Sequence, residues 1–387
     1  MQLIATCAFG LEKLVYHDIK KLGLWVEGTE DGRVTFQGEP ADIVRANLWL
    51  RTADRVHIKL AEFPARTFDE LFDQSYALDW TGILPPGASF PVLCTTTRST
   101  LHNEPSIQSI VKKSIVKKLQ SRHPGETQIP ETGPTYSIMT RFHNDICTLS
   151  IDTSGDSLHK RGYRTESNQA PIKETLAAAM VLLSDWTPER TLVDPFCGSG
   201  TILIEAAMIA LNIAPGLNRQ FTFESWPDFQ KLDLRALRHE AAEQSLQNSS
   251  AAPGKPAAPR LQIYGYDIDA LSVKIAQANS TRAGLERHVH FAKSDFRTLD
   301  FSKMSNTTII TNPPYGERLA TTEEAAAIYR DLGEKFRQTT ESSLYIITPD
   351  TNFELLFAQK ATKNRKLFNG NIKCYLYQYP GKENANQ

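Results

Sequence analysis

The stretch that most constrains the fold is Asp194-Pro195-Phe196-Cys197-Gly198-Ser199-Gly200-Thr201, set between apolar Thr191-Leu192-Val193 and the helical run Ile202-Leu203-Ile204-Glu205-Ala206-Ala207-Met208. A short apolar run, a glycine turn and a helical run make a strand–turn–helix unit, the building block of a parallel α/β sheet. Glycines let a ligand approach the backbone closely, and the helix N-terminus presents unpaired N–H groups to a carboxylate. The turn satisfies neither the G-x-G-x-x-G dinucleotide pattern nor the Gly-Lys-Ser/Thr ending of a P-loop. It suits a ligand with an amino-acid end better than one with a pyrophosphate. Asp194, Phe196, Gly198 and Gly200 are its candidate binding residues.

Three further strand ends follow. Leu261-Gln262-Ile263-Tyr264-Gly265-Tyr266-Asp267-Ile268-Asp269 closes on carboxylates ahead of a helix-like run from Ala270 to Asn279. An acid at the end of a second strand is where α/β folds grip ribose hydroxyls, which selects Asp267, whereas Asp269 suits the helix N-cap. His288 to Phe296 gives a third strand ending in Asp295, a candidate acceptor for an adenine amine, with Phe296 and Ile268 flanking the ring. The fourth strand, Thr307-Thr308-Ile309-Ile310, leads into Thr311-Asn312-Pro313-Pro314-Tyr315-Gly316. The prolines fix φ and remove two donors, leaving carbonyls to accept. Asn312 Oδ1 and the Pro313 carbonyl can each take one N–H of an exocyclic amine, aiming its nitrogen outward, while Tyr315 stacks on the base. The rival reading is an ordinary Pro-rich turn that ends a strand. All four ends belong on one carboxyl edge, where open α/β sheets bind ligands.

The chain of 387 residues has room for two or three domains. In the front half, Leu3 to Cys7 reads as a strand, Leu11 to Leu22 as a helix, Arg33 to Phe36 as a strand after the Asp31-Gly32 turn, and Pro40 to Leu50 as a helix. A second α+β unit starts at strand Val56 to Leu60. It continues through helix Thr67 to Tyr76, strand Ser89 to Cys94, helix Ser106 to Leu119 and strand Ile146 to Asp152. The expected units are therefore 1–55, 56–160 and 161–387. Asn248 to Pro259 is a low-complexity segment expected to be a mobile loop.

A net charge of −1 and a pI near 6.8 give no global pull towards nucleic acid, so any such binding must use segregated patches. Lys112, Lys113, Lys117 and Lys118 share a helix with the apolar stripe Ile107, Ile110, Val111, Ile115 and Leu119. They form either a solvated face or a phosphate-contacting one. Lys360, Lys363, Arg365 and Lys366 make a second patch, and Arg161 and Arg164, at the domain junction, suit a structural tie or RNA contact. Five scattered cysteines without a C-x-x-C pair argue against a disulfide framework or a zinc site and for a reducing cytosol. No apolar run is long enough to span a membrane, and Met1 to Gly10 lacks the basic start of a signal peptide. The expectation is a cytoplasmic protein with neither membrane nor metal.

The order and spacing of the glycine loop, Asp267, Asp295 and Asn312-Pro313-Pro314-Tyr315 resemble the class I S-adenosylmethionine-dependent methyltransferases, in the amino-methyltransferase branch. Arg51-Thr52-Ala53-Asp54-Arg55, the Gln108 to Lys118 helix, and Leu149 to Gly155 leading into Leu158 to Arg164 resemble a THUMP domain behind a ferredoxin-like domain. Together they resemble the bacterial 23S ribosomal RNA guanine-N2 methyltransferases of the RlmL type, often labelled N6-adenine DNA methylases. The resemblance implies an α/β chain: a C-terminal Rossmann-like methyltransferase fold behind N-terminal α+β ferredoxin-like and THUMP domains. It also implies S-adenosylmethionine as cofactor and RNA as partner, in particular 23S ribosomal RNA or a large-subunit assembly intermediate. Asn312, Pro313, Pro314 and Tyr315 would be catalytic. Asp194, Phe196, Gly198, Gly200, Asp267, Ile268, Asp295, Phe296 and Asn312 would bind cofactor, and Lys112, Lys113, Lys117, Lys118, Arg161 and Arg164 would bind RNA. The chain departs from some relatives at the 248–259 segment and in carrying none of a second, fused methyltransferase domain. With no cysteine in or beside the clamp motif and no three-cysteine cluster, neither covalent attack nor radical chemistry is expected. Positioned in-line transfer to an exocyclic nitrogen of an unstacked base remains. An adenine-N6 DNA methyltransferase shares every catalytic residue named, and a non-catalytic RNA-binding protein would share the fold.

Overall fold

The computed structural model describes residues 1–122, 129–164, 172–249, 260–315 and 322–381. Two seven-stranded sheets organise them. The first comprises β1 (Gln2–Cys7), α1 (Glu12–Lys21), β2 (Val26–Glu30), β3 (Arg33–Gln37), α2 (Pro40–Trp49), β4 (Ala53–Pro64), α3 (Phe68–Ala77), α4 (Trp80–Ile83), β5 (Val92–Thr97), α5 (Glu104–Arg122), β6 (Ile138–His143) and β7 (Ile146–Asp152). Its strand order is β2-β3-β1-β4-β7-β6-β5. Strand β4 is the hinge of this arrangement. Its first half pairs with β1, Cys7 opposite Ala53 and Leu3 opposite Ile58, and its second half pairs with β7, His57 opposite Asp152 and Pro64 opposite Ile146. The boundary expected near residue 55 thus falls inside one strand, and the two front units share a sheet.

One expected strand is displaced. Ser89 to Cys94 was the sequence expectation, yet the ladder of β5 begins at Val92. Pro91 has no N–H to give, and the Phe90 N–H is taken by Glu131 Oε2 at 3.0 Å, so only a single bridge, Ser89 to Thr135, forms before it.

The second sheet comprises α6 (Glu174–Leu182), β8 (Thr191–Asp194), α7 (Thr201–Ala210), α8 (Leu234–Ser249), β9 (Ile263–Asp267), α9 (Ala270–Arg282), β10 (Val289–Lys293), β11 (Thr307–Thr311), α10 (Thr322–Phe336), β12 (Ser343–Thr348), α11 (Phe353–Leu356), β13 (Lys363–Asn369) and β14 (Ile372–Tyr379). The order is β10-β9-β8-β11-β12-β14-β13, parallel from β10 to β12 and closed by an antiparallel hairpin. Every residue of β11 is buried, as a strand covered on both faces requires. After β8 the chain moves outward through β9 and β10, then returns to place β11 on the other side of β8. That reversal opens a crevice between β8 and β11 at their carboxyl ends. The segment expected to be a mobile loop lies, from residue 250 to 259, outside the described residues; Asn248 and Ser249 end α8.

One apolar core runs from Leu3 in β1 to Leu376 in β14 and crosses between the sheets. A second, built on Phe301, Ile309, Tyr329, Leu344, Phe353 and Tyr377, belongs to the second sheet alone. The seam between the sheets is closely fitted: Gly216 donates to Leu48 O at 2.9 Å, and a Cβ on Gly216 would lie 2.6 Å from Asn47 O. Tyr136 stacks on Trp226 at 4.3 Å, and Trp226 Nε1 donates to Thr135 O. Arg161 belongs to this seam. Its buried guanidinium donates to Leu158 O and Arg51 O and pairs with Glu205 at 3.4 Å. Arg164 donates to Ile172 O and pairs with the buried Glu174 at 3.0 Å. Both arginines therefore act as structural ties, which corrects the RNA-contact expectation: their donors are already held by protein acceptors. No described helix is long and apolar enough to cross a membrane, and no described cluster of three His, Cys, Asp or Glu could hold a metal.

Candidate active site at the carboxyl edge

The glycine loop is built around two left-handed positions. Gly200 caps α7 at φ +81°, and a Cβ there would strike the Phe291 ring at 2.8 Å, so both conformation and packing demand glycine. Gly198, at φ +51°, faces open space on the side a Cβ would occupy. Its N–H donates to Asp267 Oδ2 at 2.9 Å, while Asp267 Oδ1 accepts from the Asp269 N–H at 2.9 Å. Each oxygen keeps a lone pair for a further donor. Burial raises the Asp267 carboxyl above the usual range, partly opposed by those two N–H groups. Asp269 accepts from the Leu271 and Ser272 N–H groups, as expected of a helix cap.

The flanks expected for an aromatic ligand separate. Ile268 is 65 % exposed, whereas Phe296 is 3 % exposed and lies beneath Phe196, ring centroids 4.7 Å apart. Phe296 thus supports Phe196 and offers no open face of its own. Asp295 caps the short turn Phe296–Thr298 through the Arg297 N–H, with the Arg297 guanidinium 3.5 Å away and also bonded to Asp331.

At the end of β11, Asn312 Oδ1 is buried and has no hydrogen-bond partner among the described residues. An orphaned buried acceptor costs roughly 1–3 kcal/mol, and at the carboxyl edge of the sheet a ligand donor would satisfy it. The residue before it is fixed: Thr311 Oγ1 donates to Asp194 Oδ1 at 2.6 Å, and the same oxygen accepts the Phe196 N–H at 3.0 Å. Asp194, expected among the ligand-binding residues, is only 1 % exposed and works as a strut between the glycine loop and the clamp. Burial pushes its carboxyl up to about 7, against the lowering effect of those two hydrogen bonds. Pro313 is buried, and Gly316 lies outside the described residues. Tyr315 is held from the hairpin, its hydroxyl accepting from Asn369 Nδ2 at 3.0 Å and lying 3.9 Å from Cys374 Sγ.

Cys374 is a correction to the sequence reading, which found no cysteine beside the clamp. The fold carries one there from 59 residues away. It is fully buried, and burial raises its thiol above the usual value, so it stays protonated and is no nucleophile. The residues present fit the cofactor that the resemblance implies: an open helix N-terminus, a carboxylate with acceptor capacity left, an exposed aliphatic flank and an unsatisfied amide oxygen.

On the front sheet, Ile107, Val111 and Ile115 of α5 are buried, as the stripe predicts. Its lysines divide. Lys112 Nζ is engaged by Glu131 at 2.6 Å and Phe90 O at 3.0 Å and sits 3.5 Å above the Phe90 ring. Lys113 and Lys117 are exposed. Lys117 and Lys118 lie over Phe72 and Tyr76, at 5.5 and 5.0 Å, and those two rings stack on each other along α3. Sequence reasoning missed this pair, although its i, i+4 spacing was the available signal.

Residues 161–378 match the model of the RMKL-like methyltransferase domain, residues 2–57 that of the RlmL ferredoxin-like domain, and residues 65–152 that of the THUMP domain. The Bacillus subtilis protein named "Putative RNA methyltransferase YpsC" is 43% identical over 97% of this chain and 95% of its own length. The ribosomal RNA large subunit methyltransferase K/L of Marinobacter nauticus is 36% identical over 96% of this chain, which spans 51% of that relative. The crystal structure of SMU.472 complexed with SAH superimposes with a TM-score of 0.87 at 46% identity, covering 98% of both chains.

Proposed function

The chain belongs to the RMKL-like methyltransferase family, and from that premise we propose that it methylates an exocyclic amine of RNA, specifically guanine N2 of 23S ribosomal RNA, with S-adenosylmethionine as donor. The observation that carries the reading is the buried, unpartnered Asn312 Oδ1 at the β8/β11 crevice. When bound, the cofactor supplies an electrophilic methyl group. Its adenosine and amino-acid ends are assigned to Phe196, Gly198, Gly200, Asp267, Ile268 and Asp295, around a loop that Asp194 braces. SAH, the same molecule after methyl loss, is the ligand named for SMU.472.

Asn312 Oδ1 and the Pro313 carbonyl accept the two amine N–H groups, which turns the nitrogen lone pair away from the base ring. Tyr315, fixed by Asn369, stacks on the base and holds it out of any helix. No strong base is needed, because the nitrogen becomes acidic once methylated and gives its proton to solvent. Catalysis is then mainly positioning. The fused RNA-type front sheet supports RNA over DNA, and residues 1–55 and 56–160 are assigned to recognition.

Nucleoside mass spectrometry of ribosomal RNA from a strain lacking the protein, mapped to position, tests the reading. The expected result is loss of one N2-methylguanosine in 23S ribosomal RNA and its restoration by the purified chain. Intact ribosomal RNA together with lost N6-methyladenine in DNA would overturn it.

A further inference from the structure

The segment of RNA that delivers the base must meet the protein beyond the clamp. The β13–β14 hairpin reaches past the carboxyl end of β12, since Thr348, the last residue of β12, pairs with Tyr375 and leaves Ile372 to Cys374 beyond it. One face of its tip carries Asn369 and Cys374 against Tyr315. The opposite face carries Lys366, Phe368, Lys373 and Tyr375, because Phe368 pairs with Lys373 and Lys366 with Tyr375.

Against that face the turn between β1 and α1 sets Phe9. The Phe9 and Phe368 rings meet edge to face at 6.2 Å, and Lys366 Nζ lies 5.8 and 5.4 Å from their centroids. Lys373 Nζ lies 5.0 Å from the Tyr375 ring. Gly10 holds the turn in place, at φ +92° with a hypothetical Cβ only 3.0 Å from Lys366 O. Simple packing of two domains would close such a contact, yet Phe9 is 45 % exposed and both lysines are exposed.

The charge is one-sided. Between Leu355 and Gly381 the sequence holds Lys360, Lys363, Arg365, Lys366 and Lys373 and no Asp or Glu, in a chain whose net charge is −1. Of these, Lys366 and Lys373 lie on the Phe368 face, and neither pairs with a carboxylate among the described residues. Glu12, the acid nearest Phe9 in sequence, is turned onto the Gly10 and Gly32 N–H groups. Half-exposed rings with unpaired cations over them are the equipment of single-strand binding, in which bases stack and phosphates are neutralised.

We propose that the corner formed by Phe9, Phe368, Lys366 and Lys373 binds the single-stranded RNA flanking the methylated nucleotide, stacking an unpaired base and neutralising its phosphates. This rests on the reading of the chain as an RNA methyltransferase. It makes the front sheet part of the active-site rim, since Phe9 comes from β1's turn.

The test uses the full chain and a fluorescent single-stranded RNA of about 12 nucleotides and mixed sequence, with SAH affinity and a thermal melt measured in parallel. Phe9→Ala and Phe368→Ala should each weaken RNA binding by about 5- to 160-fold, the range for a lost base stack. Lys366→Glu and Lys373→Glu, which keep all the rings instead of removing one, should weaken it by about tenfold or more and flatten its salt dependence. SAH affinity should not change. Wild-type RNA affinity in all four folded variants would overturn the corner alone. A wild-type protein that binds no RNA at all would overturn the RNA reading and this proposal with it.

Discussion

Asn312 Oδ1 has no partner among the described residues, so removing it breaks no hydrogen bond among them. Asn312→Ala is therefore expected to lower single-turnover methylation by about two to three orders of magnitude, the size of one lost preorganised partner, while leaving cofactor affinity near wild type and the melting temperature at or above it. A Pro-rich turn that merely ends a strand would instead lose stability and activity together. Asp194 behaves differently. Burial raises its folded carboxyl to about 7, above its unfolded value, so the stability it contributes is complete below the unfolded value and is lost as pH rises towards 7. Asp194→Asn does not titrate, and relative to wild type it should gain in urea midpoint between about pH 4 and about pH 7 and stay level above that. Parallel pH curves for the two proteins would remove Asp194 from that role. The sequence marked Asp194 and Asn312 alike, because each follows a buried strand. Only the fold separates a strut from an open acceptor, since the Thr311–Asp194 hydrogen bond joins residues 117 positions apart.

At the scale of elements, what could be read was periodicity, and what could not was pairing. Parallel strands β8, β9 and β11 are apolar runs punctuated by acids or prolines and were legible. Strand β2 was not, because Val26-Glu27-Gly28-Thr29-Glu30 is an exposed edge with no apolar alternation. The hairpin β13–β14 was missed for a related reason: its cations drew attention to a patch and hid a strand whose inward residues, Leu367, Cys374 and Leu376, are buried. That hairpin places Asn369 on the Tyr315 hydroxyl, so Asn369→Ala is expected to loosen the ring and weaken RNA engagement with little effect on cofactor binding. The loss should be about 0.5–1.5 kcal/mol, seen in KM before kcat, and an unchanged KM would mean that Tyr315 needs no such support. On α5 the structure divides the lysines that the sequence grouped. Lys113, Lys117 and Lys118 are the expected phosphate contacts, and replacing all three with alanine should flatten the salt dependence of RNA binding more than Lys112→Ala, whose ammonium is already held by Glu131. Equal effects from Lys112 alone would reverse that division.

For the whole molecule, the sequence separates recognition from chemistry, whereas the buried seam joins them. Arg161 reaches from the end of the front sheet's chain to Glu205 on α7, the helix that begins at the glycine loop, and Arg51 donates to Ile213 O from the other side. Tyr163 adds its hydroxyl to Glu205 Oε1 at 3.1 Å. These charges have left water entirely, so removing one partner strands the other. Arg161→Met is expected to cost about 3–5 kcal/mol, and the double replacement Arg161→Met with Glu205→Leu to recover most of it, because two apolar groups of similar bulk leave no unpaired charge. The same seam sets how the chain unfolds. Because one core cluster crosses the seam, the two sheets are expected to unfold together in one thermal transition of the full chain, and Arg161→Met should shift that transition as a unit. Removing residues 1–155 would uncover Trp226, Gly216 and the Arg161 pair together, so the remainder is expected to melt well below the full chain even where its cofactor residues are intact. Two separate calorimetric transitions in the wild type, with Arg161→Met moving only one, would show instead that the front sheet and the methyltransferase domain fold independently, and that the seam orients the front sheet without stabilising the methyltransferase domain.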